Sequence, residues 1–80
     1  MATKIFTEYI EEEYKVGDLY TWNLTNSVLY FIITKVKPSN GNIEFYCLNG
    51  TDKQNLIEIC DSDIRHYIKS GNFKREHKNE

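Results

Sequence analysis

The hydrophobic pattern of this chain changes period three times. Residues 5–14, IFTEYIEEEY, place Ile5, Phe6, Tyr9 and Ile10 at helical spacing, with Glu8, Glu11 and Glu12 opposite. This predicts a short amphipathic helix with Thr3 at its cap. A helix of this length is marginal alone in water, so it needs a surface to lie on. The period then drops to two. After a Gly17-Asp18 turn, Tyr20, Trp22 and Leu24 share one side of an extended segment, while Leu19, Thr21 and Asn23 share the other. A reversal at TNS leads into SVLYFIITKV, residues 27–36. One face of that segment holds Val28, Tyr30, Ile32, Thr34 and Val36, and the other holds Leu29, Phe31, Ile33, Lys35 and Lys37.

Both faces of this strand begin apolar, which a sheet with one wet face should avoid. Burying Leu29, Phe31 and Ile33 would contribute roughly 1.5–3 kcal/mol each, so they are expected to be covered. Three covers are open: curling of the sheet into a small barrel, an amphipathic helix, or another protein chain. PSNGN is a strong hairpin turn, because Asn-Gly accepts positive φ. IEFYCL is the returning strand, NGTDKQN a polar loop and LIEIC a fourth strand. The third period is helical again, in DSDIRHYIKSGN. Asp61 or Ser62 caps its start, Asp63 suits the first turn, Lys69 the last turn and Gly71 the reversal. Ile64, Tyr67 and Ile68 form its apolar face. NFKRE is read as a short last strand and HKNE as a frayed tail. The expectation is one α+β domain over residues 1–80: a helix within 1–14, a core of 15–75 and a tail of 76–80.

The order of Gly-Asp turn, strand, long strand, Asn-Gly hairpin, two further strands, helix and short closing strand resembles the SH3-like small barrels, the group that includes Tudor and KOW-type modules. KVGDLYTW is similar to their opening strand, and CDSDIRHYIKSGNFK to the helical turn before their closing strand. The resemblance implies a strongly bent antiparallel sheet of four or five strands. It also implies a module that binds peptides, proteins or nucleic acids rather than one that catalyses.

Composition narrows the function classes. Ile, Asn, Lys, Tyr and Phe supply 35 of the 80 residues, whereas Ala, Arg, Gly and Pro supply 8, a skew toward AT-rich codons. A phage, another mobile element or a low-GC bacterium is the expected origin. The net charge of −2 lacks the basic excess of most nucleic-acid binders, although residues 61–80 carry a net of +1 against −3 in residues 1–20. The stretch MATKIFTEYIEEE has no apolar signal core, and the longest apolar run is about half the roughly 20 residues of a membrane span. A cytoplasmic protein with reduced Cys47 and Cys60, away from membranes, is expected.

Candidate chemistry is sparse. Cys47, Cys60, His66 and His77 lack the close ligand pairs of zinc sites, so no metal or cofactor is expected. Cys60 precedes a helix start, which lowers a thiol pKa, but the helix direction carries His66 away from it. No catalytic residue is assigned. The expected function is a non-catalytic protein-binding module, an accessory or host-interaction factor. Its partner would meet Tyr20, Trp22 and Tyr46, or the helix face at Phe6, Tyr9 and Ile10, with Glu11, Glu12 and Glu13 facing a basic partner. The alternative is weak nucleic-acid binding, in which aromatic residues stack on bases beside Lys35, Lys37, Lys69, Lys74 and Arg75. Homodimerisation is a further option, because pairing would hide Leu29 and Phe31.

Overall fold

The computed structural model describes residues 5–50 and 55–77. The elements follow in the order α1 (Phe6–Glu13), β1 (Leu19–Asn23), β2 (Val28–Lys37), β3 (Asn42–Cys47), β4 (Leu56–Cys60), α2 (Asp61–Ser70) and β5 (Phe73–His77). The strands form one antiparallel sheet in the order β4-β3-β2-β1-β5. β1 to β4 are therefore a meander, and β5 returns to pair with β1. β4 and β5 are the two edges and do not close into a barrel. β5 runs to His77, two residues into the expected tail. The expected Thr3 cap and the middle of the NGTDKQN loop lie outside the described residues.

The Asn-Gly hairpin places Gly41 at φ +73°, with the Phe6 ring of α1 packed directly on it. A Cβ there would lie 2.6 Å from that ring, so both the turn and the helix contact require glycine. α2 ends at Gly71 with φ +89°, the left-handed reversal expected from the sequence.

The long strand β2 resolves its two greasy faces by a bulge. Its pairing with β3 shifts by one residue between Ile33 and Lys35. Before the shift Phe31 and Ile33 face the core, and after it Val36 does. Lys35 and Lys37 are thereby turned to the outer face, opposite Glu44 and Asn42. The cover over Leu29, Phe31 and Ile33 is helical: Ile10 and Tyr14 at α1 and Ile64 of α2 join the same buried cluster. The centre is aromatic. Tyr20 stacks on Phe73 at 4.9 Å, and Phe45 stands edge-on to Tyr20, Phe31 and Phe73 at 5.4, 6.3 and 5.7 Å.

Asp61 is not the cap of α2. Cys60 holds that position, without a side-chain cap bond, and Asp61 is the first helical residue, only 3% exposed. Its Oδ1 accepts the Tyr14 hydroxyl at 2.6 Å and the Tyr9 hydroxyl at 3.3 Å, and its Oδ2 lies 3.1 Å from the Arg65 guanidinium. Two hydroxyls from the first helix converge on this carboxylate, which explains why it points inward. Arg75 fastens the other end of α1, donating to the Glu13 carbonyl at 2.9 Å and its carboxylate at 3.1 Å.

Burial and the bond to Asp61 hold the Tyr14 hydroxyl far above its ordinary pKa, and burial pushes Tyr20 up to about 12. The folded chain thus keeps both protons where the unfolded chain releases them. Stability is full below about pH 10 and falls above it, at about 1.4 kcal/mol per pH unit for each tyrosine. Urea midpoints measured between pH 8 and 12 should show this decline, and Tyr14→Phe should reduce its slope. A flat profile to pH 12 would contradict it.

Candidate functional site

Side chains alternate across a strand, so the register decides which ones the helices do not cover. Leu19, Ile32, Tyr46 and Leu56 fall in one cross-strand row over β1, β2, β3 and β4. At ~4.8 Å per strand the row is roughly 14 Å long. Val28, Tyr30 and Leu48 lie beside it. Tyr46 is 39% exposed, Tyr30 43% and Leu56 55%. Both helices pack on the opposite face, where Ile10 and Ile64 are buried. This outer face is therefore an apolar centre left open to solvent.

Its margins are polar. At one end the bulge delivers Lys37 to Glu58, and the Asn42 side-chain amide donates to the same carboxylate at 2.8 Å. Those two donors hold the Glu58 carboxyl below its usual range, and the bond to Glu58 raises the Lys37 ammonium. Thr34, in the bulge, donates to Glu44 at 3.1 Å. On the β5 side the Thr21 hydroxyl donates to Glu76 at 3.1 Å, and Lys74 lies 3.9 Å from that carboxylate. An apolar centre with a polar rim is the usual anatomy of a protein interface.

A second feature lies on the core side. A cleft of about 400 Å³ opens beside β4. Trp22, Leu29 and Phe31 form its floor, Ile57 and Ile59 one wall, and Tyr67 of α2 the other. Trp22 meets Tyr67 edge-on at 5.1 Å. Asp63 stands at the rim.

The expected contact residues are distributed over these surfaces rather than gathered on one. Tyr20 and Ile10 are core residues, 1% and 0% exposed, and present no surface to a partner. Trp22 lines the cleft and Tyr46 sits in the outer row, on opposite faces of the sheet. Phe6 is half exposed against Gly41, and Tyr9 is tied to Asp61. Glu11 and Glu12 are exposed, while Glu13 is bound by Arg75. The basic residues do not form a stripe. Lys37, Lys74 and Arg75 each stand beside a carboxylate, Lys35 lies across from Glu44, and Lys69 is in the last turn of α2.

Sequence reasoning missed Leu56 as a surface residue and Leu19 and Ile32 as half-buried members of the same row. The available signal was the even-numbered apolar set of β2 together with Tyr46 and Leu48, but joining it to β1 and β4 requires the register. The Cys60 thiol meets the Ser62 hydroxyl at 3.3 Å, and the His66 ring stands against Tyr67. Among the described residues no cluster of three or more His, Cys, Asp or Glu could hold a metal ion, and no helix is long and apolar enough to cross a membrane. No known protein family, curated protein or solved structure matches the chain.

Proposed function

We propose that this chain is a small non-catalytic protein-binding module that docks a partner protein on its outer sheet face. The observation that carries this reading is the apolar row Leu19–Ile32–Tyr46–Leu56, exposed at Tyr46 and Leu56 and half-buried at Leu19 and Ile32, on a face that neither helix covers. Exposed apolar patches rimmed by polar groups mark interaction sites, and tyrosine is a favoured anchor. The strand order, with a helix between β4 and a β5 that pairs with β1, supports kinship with the SH3-like modules, here with an open seam. The AT-rich codon skew supports an accessory or host-interaction factor of a phage, mobile element or low-GC bacterium.

The test is affinity capture from the source organism with wild type and with Tyr46→Lys. Tyr46 is half exposed, so the variant should fold with an unchanged melting temperature. Wild type should retain one stoichiometric partner and the variant should lose it, by at least tenfold. Capture indifferent to Tyr46→Lys, or a salt-sensitive complex with DNA or RNA in its place, would overturn the reading.

A further inference from the structure

We propose that Asn49 is a self-modification site, at which the Gly50 backbone converts the asparagine to aspartate or isoaspartate and so releases the start of β2 from the turn after β3. The chain holds two Asn-Gly dipeptides, Asn40-Gly41 and Asn49-Gly50. Glycine has no Cβ to screen its backbone nitrogen, which leaves that nitrogen open to attack the preceding side chain. The structure separates the two sites. Gly41 is buried, its amide donates to the Lys37 carbonyl at 3.0 Å, and the Phe6 ring packs on it. Asn49 is exposed, and the Gly50 amide donates to no acceptor among the described residues. The register explains why. The Leu48 amide donates to the Tyr30 carbonyl at 2.7 Å, so a continued ladder would next give the Gly50 amide to the Val28 carbonyl. Asn49 Nδ2 takes that carbonyl instead, at 2.8 Å, and leaves the Gly50 nitrogen without it.

The reaction is a hydrolysis in two stages. The Gly50 nitrogen loses its proton to solvent hydroxide and attacks Asn49 Cγ. A C–N bond forms, the Cγ–Nδ2 bond breaks, and Nδ2 leaves as ammonia. Water then opens the cyclic imide at either carbonyl. The net change is amide plus water to carboxylate plus ammonium. Asn49 Oδ1 accepts the Tyr30 amide at 2.9 Å, so a donor already stands where negative charge develops in the first stage. Asn40 Oδ1 has a comparable donor, the Asn42 amide at 3.0 Å, so the nucleophile decides between the two sites.

What the site controls is the clamp between the turn and β2. One asparagine side chain holds both the Tyr30 amide and the Val28 carbonyl. A carboxylate keeps the acceptor for Tyr30 and loses the donor for Val28. It sets an anionic oxygen against a carbonyl oxygen, and isoaspartate also adds a methylene to the backbone. The Val28 and Leu48 ends of β2 and β3 are thereby freed from one another.

The test of the reaction needs no variant. The full chain is incubated at pH 7.4 and 37 °C in water enriched in heavy oxygen, both native and in concentrated urea. Trypsin and glutamyl endopeptidase then cut it, the latter at Glu44 between the two sites, and mass spectrometry reads the label. In urea the two asparagines should convert at similar rates. In the native chain Asn49 should convert at least tenfold faster than Asn40. Native conversion of Asn40 as fast as that of Asn49 would overturn the proposal. So would an Asn49 that stays unlabelled in the native chain over the time in which it converts fully in urea. The clamp is read by hydrogen exchange on the aged wild-type chain and on Asn49→Asp. In both, the Leu48 amide should exchange at least tenfold faster than in the fresh chain, while the Phe45 amide stays within twofold. Unchanged exchange at Leu48 in both would overturn the release of β2.

Discussion

Replacing Phe45 by alanine should lower stability by about 3–5 kcal/mol, the usual cost of deleting a fully buried phenyl ring. Phe45 is 0% exposed, and its ring meets edge or face of Tyr20, Phe31 and Phe73. These partners come from β1, β2 and β5, so one ring on β3 joins side chains of three other strands. Each aromatic pair adds about 0.5–1.5 kcal/mol beyond area burial. Stability of roughly 0.05–0.15 kcal/mol per residue gives a chain of this length about 4–12 kcal/mol in all. The variant should therefore be partly unfolded at 37 °C, and urea denaturation followed by circular dichroism would show the lowered midpoint. Phe45→Leu, which retains most of the volume, should cost less than half as much. A loss below 1 kcal/mol for Phe45→Ala would mean that the aromatic cluster is not the centre of the core.

Asp61→Ala should be the second most damaging change, at about 3 kcal/mol. It removes a buried acceptor of two hydroxyls and strands the Tyr14 hydroxyl, on a residue only 2% exposed. An orphaned buried donor costs about 1–3 kcal/mol, and bonds to a charged acceptor are worth about 1.5–3 kcal/mol. Asp61→Asn, which retains an acceptor oxygen, should fall between wild type and alanine. The damage should be local before it is global. Hydrogen exchange should speed up at the Ile10 and Tyr14 amides of the first helix while the β3 amides remain protected. Tyr14→Phe and Asp61→Ala should be non-additive, with a coupling of about 0.5–3 kcal/mol. Additive effects, or a loss within 0.5 kcal/mol for Asp61→Ala, would remove the clamp from the account.

Much of the α+β architecture was legible because local chemistry agrees with it. The alternation of Tyr20 and Trp22, the Asn-Gly reversal and the Gly71 stop each act within a few residues, and each structural element stands near where those signals place it. What was not legible depends on partners far away in sequence. A carboxylate before a helical segment reads as a cap; only the fold brings Tyr14 to Asp61 across 47 residues and turns that carboxylate inward. The bulge beyond Ile33 has no glycine to announce it, so strict alternation assigned Lys35 and Lys37 to the wrong face. The same limit hid the outer row, since Leu19, Ile32 and Leu56 are neighbours only through strand register. Tyr20 was the reverse case: a tyrosine on a strand reads equally as anchor or core, and stacking on Phe73 makes it core.

The fastening of α1 to Asp61 and Arg75 has a consequence for how the chain is made. Tyr14 leaves the ribosome 47 residues ahead of the carboxylate that receives its hydroxyl, and Glu13 leaves 62 ahead of Arg75. At ~5–20 residues per second, the first helix waits roughly 2–10 s for Asp61 alone. Throughout that interval the Tyr14 hydroxyl lacks the acceptor it has in the folded chain, and a nascent-chain chaperone would meet the segment in that state.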